Sequence, residues 1–464
     1  TPLYSSAASD VYKRQDYCCN PSQTLTFSGY WYYDGTSIYP PDSNYAVVVK
    51  LSGVQKGSTD TTLVSGAFSI DDITAETSIA SYSYTAEADY MSGAGSFSAV
   101  IVDRMKVISY TVSDSRVNIN DNVNIDATVE YEYSPGTKVT TGTLIINGYS
   151  ASHQGNGVYR ITRTNASVTS VTYDMVAGSE STYGLNTVNQ NSQSTTVIWD
   201  SAQVQSYTVV DDYVNINDNV NVDVLLYYDF DDTAITDGAV TINSVSASHQ
   251  GSGVWRITVS KSSAQAVTYD TVAISGNTYG ITVIDQNDKS KQIIWDGLTI
   301  FNLQSPVYLG DGNLRYEAQI KYTYNASVIE GAYVNVTLPS STVLTQLTSN
   351  STGWVSLTLT QAQATEAGLY TFTGVNDNSL GITYSSAAQQ FVLRSWELNS
   401  LDYDGNDLSA TTITITKDST TCYDSADDTL HFPDDSFNIT VTWNEIAVNS
   451  TSVTLDANTV SNFT

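Results

Sequence analysis

Between Val123 and Tyr133 apolar and polar residues alternate without a break. Val123, Ile125, Ala127, Val129, Tyr131 and Tyr133 are interleaved with Asn124, Asp126, Thr128, Glu130 and Glu132. A period of two over this length predicts a strand with one face in a core and the other in water. The pattern recurs through Val220, Val222, Val224, Leu226, Tyr228 and Phe230. It returns through Leu314, Tyr316, Ala318, Ile320, Tyr322 and Tyr324, and through Leu25, Phe27, Gly29, Trp31 and Tyr33. Each run stops at a turn signal: Ser-Pro-Gly-Thr, Asp-Asp-Thr, Asn-Ala-Ser and Asp-Gly-Thr. A second strand keeps step, since Gly66, Gly157, Gly253 and Gly353 each stand two residues before Phe68, Tyr159, Trp255 and Val355. Ile70, Ile161, Ile257 and Leu357 follow on the same face. Many short alternating strands and almost no 3.6-residue period predict an all-β chain of antiparallel sandwiches, each about 95 residues long and able to fold alone.

Direct repetition fixes the spacing. Tyr110 opens YTVSDSRVNINDNVNI and Tyr207 opens YTVVDDYVNINDNVNV; SASHQGNGVYRIT from Ser150 returns as SASHQGSGVWRIT from Ser246, and IWD closes both copies at Ile198 and Ile294. The repeats predict modules at residues 16–107, 108–204, 205–301 and 302–395, with Asp103, Asp200 and Asp296 at the junctions. A fifth module is expected from Trp396, with Phe437, Ile439, Val441 and Trp443 as its alternating strand and Val453 and Leu455 on the next. The chain is expected to stop inside it, over 396–464. Residues 5–15 resemble translated sequencing-adaptor read-through, so 1–15 is set aside as non-native and the absence of a signal peptide carries no weight.

Composition narrows the function. Eighteen Lys and Arg against 48 Asp and Glu leave a formal charge of −30, which disfavours nucleic acid as a partner. No apolar run approaches the length of a membrane span. Cys18 and Cys19 are adjacent and Cys422 is distant, so no spaced disulfide framework or C-x-x-C metal pair exists, and their redox state stays open.

The segment TEAGLYTF at Thr365–Phe372 resembles the corner of immunoglobulin-type domains, in which a tyrosine hydroxyl bonds back to the preceding turn. Tyr173, Tyr269 and Tyr370 are expected to occupy it. With module length and strand pattern, this makes the chain similar to the tandem immunoglobulin-like modules of large archaeal and bacterial surface proteins, adhesins and S-layer-like proteins among them. No cysteine pair spans the sheets, so the resemblance excludes an antibody-type domain.

Candidate chemistry is sparse. His153 and His249 sit at equivalent places in different modules, and His431 is isolated; no nucleophile elbow, P-loop or H-E-x-x-H appears, so no catalytic residue is expected. Calcium is the one cofactor weighed: Asp103, Asp200 and Asp296 from the junctions and Asp121, Asp218 and Asp311 near module starts would supply oxygens if the two sets meet. The simpler reading makes the latter three Asx turns. Asp402-x-Asp404-x-Asn406 imitates a calcium loop, but Gly405 is misplaced and a hairpin turn explains it better. Seven sequons, at Asn165, Asn325, Asn335, Asn350, Asn438, Asn449 and Asn462, are candidate glycosylation sites. Tyr30, Tyr32 and Trp354 could stack on sugars if they form one exposed strip.

The sequence therefore favours a non-catalytic stalk or array segment of an extracellular, cell-surface protein, with other surface proteins or glycans as partners. The competing expectation is the accessory carbohydrate-binding part of a secreted glycan-degrading enzyme, or an appendage of a secreted protease, whose catalytic domain lies elsewhere.

Overall fold

The computed structural model describes residues 18–30, 45–61, 66–89, 94–401, 404–408, 411–425, 428–443 and 446–463. The described secondary structure is all strand. The chain divides into two compact units: residues 1–203, 227–238 and 274–285 in the first, and 204–226, 239–273 and 286–464 in the second.

In the first unit, residues 105–200 show the plan most fully. The alternating run forms the strand Val123–Tyr131, flanked by Met105–Val112 and Val158–Arg163 in antiparallel register. Opposite lie Thr143–Ile146 paired with Val176–Ser179, and Thr169–Tyr173 paired with Thr195–Asp200. Val123, Ile125, Ala127, Val129, Leu144, Ile146, Val197 and Trp199 fill the space between, each with at most 1% exposure. The plan is not purely antiparallel: Arg116–Asn118 runs parallel to the last strand, pairing Arg116 with Ile198 and Asn118 with Asp200. Residues 19–102 enclose a core of their own around Leu25, Phe27, Val49, Phe68, Ile70 and Tyr84.

The second unit repeats these pairings. Val220–Leu225 lies against Val254–Val259, and Tyr213–Asn215 and Gln265–Tyr269 flank Lys291–Asp296. The strand Leu314–Tyr322 buries Leu314, Tyr316, Ala318, Ile320 and Tyr322 as its period requires. In a different sheet, Gln389–Ser400 runs through the expected boundary at 395/396. Gly368–Phe372 pairs along its first half, while Asp428–Phe432 and Thr459–Phe463 border the second half, antiparallel and parallel respectively. A single apolar cluster accordingly extends from Leu298 to Phe463, with Trp396, Phe432, Phe437 and Leu455 in its later part.

The second-strand glycines have one backbone reason. Gly66, Gly157, Gly253 and Gly353 have φ of 72°, 71°, 79° and 76°, a conformation in which a side chain is strained. At Gly157 a Cβ would also stand 2.7 Å from the Val129 carbonyl oxygen.

Two expectations need correction. Tyr133, Phe230 and Tyr324, counted as inward by the alternation, are 38%, 38% and 43% exposed, because the strands end two residues earlier at Tyr131, Tyr228 and Tyr322. Trp443, at the end of its strand, is likewise 42% exposed. The tyrosine corner exists at Tyr370, whose hydroxyl donates to the Glu366 carbonyl at 3.0 Å. Tyr173 and Tyr269 do not occupy it. Both are buried, but among the described residues neither hydroxyl makes that bond to the preceding turn, and the Tyr173 hydroxyl has Arg163 as its side-chain partner.

Candidate functional site

The repeated motif VNINDNV builds a joint. Asp121 N–H donates to the Asn118 carbonyl at 3.1 Å, closing a turn whose third residue, Asn120, has φ of 68°. Asn tolerates that left-handed conformation better than most residues. Asp121 and Asp218 lie exposed in these turns, their carboxylates accepting from Asn118 Nδ2 and Asn215 Nδ2 at 3.1 Å each. Their carbonyls take the indole N–H of Trp199 and Trp295, both at 3.0 Å. Locked this way, Asn118 and Asn215 project to the following module. Asn118 Oδ1 accepts from the backbone N–H of Thr282 at 2.6 Å and of Val283 at 2.9 Å. Asn215 Oδ1 accepts from Thr383 and Tyr384 at 2.6 and 2.8 Å. Asn20 does the same to Asn186 and Thr187, at 2.7 and 3.1 Å.

The gripped loops are in turn organised from within. Glu180, 1% exposed, accepts from the amides of Thr182, Tyr183 and Leu185. Asn277 and Asp377 hold the corresponding loops through Ile281 and Ile382. Each loop then passes a carbonyl to the first strand of its own sandwich: Thr187 to Met105, Val283 to Ala202 and Tyr384 to Leu298.

The junction carboxylates form the other half of the joint. Asp103, Asp200 and Asp296 are 3%, 0% and 0% exposed. In each, Oδ1 accepts two backbone N–H groups, one from the next residue and one from the aromatic residue beyond the strand end. These are Arg104 and Tyr133 at 2.7 and 2.8 Å, Ser201 and Phe230 at 2.8 and 2.9 Å, and Gly297 and Tyr324 at 2.7 and 2.8 Å. This explains why those aromatics leave the core: their amides are committed to the junction.

The second carboxylate oxygen meets a different partner each time. The register of the short parallel strand makes Cys18, Arg116 and Tyr213 equivalent, since they pair with Ile101, Ile198 and Ile294. Arg116 donates through Nε and Nη2 to Asp200 Oδ2, at 2.9 and 2.6 Å, and through Nη1 to Asp231 at 2.9 Å. Its guanidinium carbon lies 4.6 Å from the Tyr228 ring centre and 4.4 Å from that of Tyr279, a desolvated cation–π arrangement. The guanidinium holds the Asp231 carboxyl below its ordinary range. Tyr213 donates its hydroxyl to Asp296 Oδ2 at 2.5 Å; burial and then this bond push the phenol pKa up. Among the described residues no side chain donates to Asp103. Burial raises its pKa, against the pull of its backbone bonds.

The calcium sets therefore serve separate purposes, one accepting backbone amides in the interior and the other closing exposed turns. Asp311 is exposed in a third turn with φ of 50°. Among the described residues no group of three or more His, Cys, Asp or Glu is placed to hold a metal ion. Asp402 lies outside the described residues; Gly405, with φ of 80°, sits in a turn closed by the Leu401–Asp407 bridge.

The other candidates are dispersed. His153 and His249 are exposed on edge strands, each 5.0 Å from the aromatic ring it faces, Tyr159 and Trp255. Tyr30 is 40% exposed at a strand end, Trp354 is half-buried in another module, and Tyr32 lies outside the described residues. Of the sequons, Asn325, Asn350, Asn438 and Asn462 are exposed; Asn165, Asn335 and Asn449 are half-buried. Among the described residues Cys18, Cys19 and Cys422 form no disulfide. No described helix is long and apolar enough to cross a membrane.

Sequence reasoning missed Asn20, Asn118, Asn215, Arg116 and Tyr213. Asn118 and Asn215 were visible as fixed letters of VNINDNV, but an asparagine that grips a loop some 165 residues away has no local signature.

The fold is that of tandem immunoglobulin-like β-sandwiches. No protein-family model matches the chain, and no curated protein does. Among solved structures it is similar to the bacterial integrin-binding protein invasin, at 13% identity and a TM-score of 0.30, over 84% of this chain and 80% of that one. It is also similar to a tetra-tandem repeat from the extending region of a large adhesion protein, at 18% identity and a TM-score of 0.27, covering 81% and 96%. Immunoglobulin domains 1–5 of Sidekick-1 match at 10% identity and a TM-score of 0.19, covering 98% and 100%.

Proposed function

We propose that this chain is a non-catalytic stalk or array segment of an extracellular surface protein, serving adhesion or envelope structure through other surface proteins or glycans. The proposed modules are 16–107, 108–204, 205–301, 302–395 and 396–464. The observation that carries the reading is the joint itself: three successive boundaries reuse a buried aspartate and a loop-gripping asparagine at equivalent places. A chain whose modules need only be tethered has no use for such junctions; one that must hold them in fixed orientation does. Glycans are proposed at Asn325, Asn350, Asn438 and Asn462, whose side chains are exposed.

Limited proteolysis of the full chain tests this reading. Stiff joints predict no early cleavage at 102–105, 199–203 or 295–298, and cleavage there before any loop is cut would sink it. Antibody labelling of intact cells of the source organism tests the location, with signal only after permeabilisation as the contrary result.

A further inference from the structure

The joints at Asp103 and Asp200 differ at one position. Around Asp200, the Arg116 guanidinium fills a socket made by the carboxylate and the rings of Tyr228 and Tyr279. Around Asp103 the same socket is built: Tyr131 and Tyr183 replace the two tyrosines, with ring centres 5.3 Å apart and 73° between planes, against 5.1 Å and 68° in the other. The residue facing it is Cys18, which lacks the reach of an arginine. The parts that Arg116 covers in one joint are more open in the other: Tyr183 is 50% exposed against 40% for Tyr279, Tyr131 6% against 3%, and Asp103 3% against 0% for Asp200.

Charge points the same way. Asp103 and Glu180 are both almost fully buried. Among the described residues neither has an ion-pair partner, and the adjacent Arg104 is taken by Glu132. Burial, then Asp103, raises the Cys18 thiol pKa to about 12, so it remains neutral and offers neither carboxylate a counter-charge. Glu180 spends its oxygens on three loop amides and the Tyr131 hydroxyl. Among the described residues no side chain donates to Asp103 Oδ2, the counterpart of the oxygen that Arg116 grips.

We propose that the joint between the first two modules is a binding socket for an arginine side chain of a partner protein, received by Asp103 and the faces of Tyr131 and Tyr183. A guanidinium is the occupant because the repeat copy already holds one in the same frame; its planar fork suits carboxylate and ring together. Lysine offers no such plane. The field of a chain with formal charge −30 favours the approach of a basic partner. The inference stands on the joint geometry and does not depend on the stalk reading.

The test is titration of the full chain with N-acetyl-arginine amide, its citrulline counterpart serving as the uncharged control, read from the amide resonances of Tyr133 and Tyr183. Saturable shifts are expected with the arginine compound alone. Cys18→Arg should fill the socket from within, raise the melting temperature and weaken binding by about tenfold or more, the value of one charge-assisted bond. Asp103→Asn should weaken it similarly and covers the case in which Cys18→Arg fails to fold. Lys13 and Arg14 lie outside the described residues, so a Lys13→Gln/Arg14→Gln variant is titrated as well and should bind as the parent does. Absence of saturable shifts, an equal response to citrulline, unchanged binding in both socket variants, or markedly tighter binding once Lys13 and Arg14 are removed would each overturn the proposal.

Discussion

Arg116 and Asp200 meet at 2.6 Å with 8% and 0% of their side chains exposed, and the same carboxylate receives the Phe230 amide at 2.9 Å. One buried charge pair thus joins the short parallel strand and the last strand of a module to the hairpin of the next. Removing one member strands the other charge in the interior. Arg116→Met is expected to destabilise by on the order of 3 kcal/mol, whereas the double variant Arg116→Met/Asp200→Asn, with neither charge, should recover much of that loss. Thermal denaturation of the four members of this cycle decides it; additive losses would contradict the pairing.

Asp103 and Asp231 should respond to pH in opposite senses. The folded-state pKa of Asp103 is raised by burial, so protonation favours the native joint, and this stabilisation is present in acid and lost as pH rises through the raised value. Asp231 is held low by Arg116, so its contribution is present above the ordinary value of about 3.9 and lost as pH falls through the depressed one. Asp103→Asn retains the Oδ1 acceptor and is expected to be tolerated at neutral pH while flattening the acid side of the profile. Hydrogen exchange at Tyr133 and Phe230 across pH reads the two joints separately.

Asn118→Ala deletes the acceptor for Thr282 and Val283. With each net hydrogen bond contributing about 1 kcal/mol, exchange at those two amides should rise by one to two powers of ten. The interior of residues 123–131 should keep its protection, and loss of protection there as well would mean that the clamp is part of the module rather than of the joint.

Tyr370→Phe removes the corner bond to Glu366 and should cost about 1 kcal/mol. Tyr173→Phe, whose hydroxyl has no such bond, should cost less. Equal losses would show that burial rather than the corner sets the value.

Calcium at millimolar concentration is expected to leave the melting temperature unchanged, since the junction carboxylates already accept amides and those of Asp121 and Asp218 cap exposed turns. A clear rise on adding calcium, reversed by chelator, would contradict this arrangement.

Much of the sandwich was legible because one physical rule, alternation against a core, repeats four times. Val123 to Tyr131 and Leu314 to Tyr322 follow it residue by residue. The rule failed at Tyr133, Phe230 and Tyr324, where backbone amides bound to an aspartate outweigh the apolar preference of the side chain. The tyrosine corner misled differently: Tyr173 and Tyr269 fit by letter and are buried, but among the described residues only the Tyr370 hydroxyl makes the bond back to its turn. Junction aspartates could be picked from sequence as recurring letters. Their partners could not, because Cys18, Arg116 and Tyr213 share a position without sharing a chemistry, and only strand register reveals that they correspond.

The clamp asparagine lies near the beginning of each module and the loop it grips near the end of the following one, while the aspartate closing a module caps the first hairpin of its successor. Residues 105–200 and 202–296 therefore each carry both complementary halves. A tandem duplication or loss of one repeat by recombination brings a ready-made surface against its match, so the number of modules can change between generations without a new interface having to evolve.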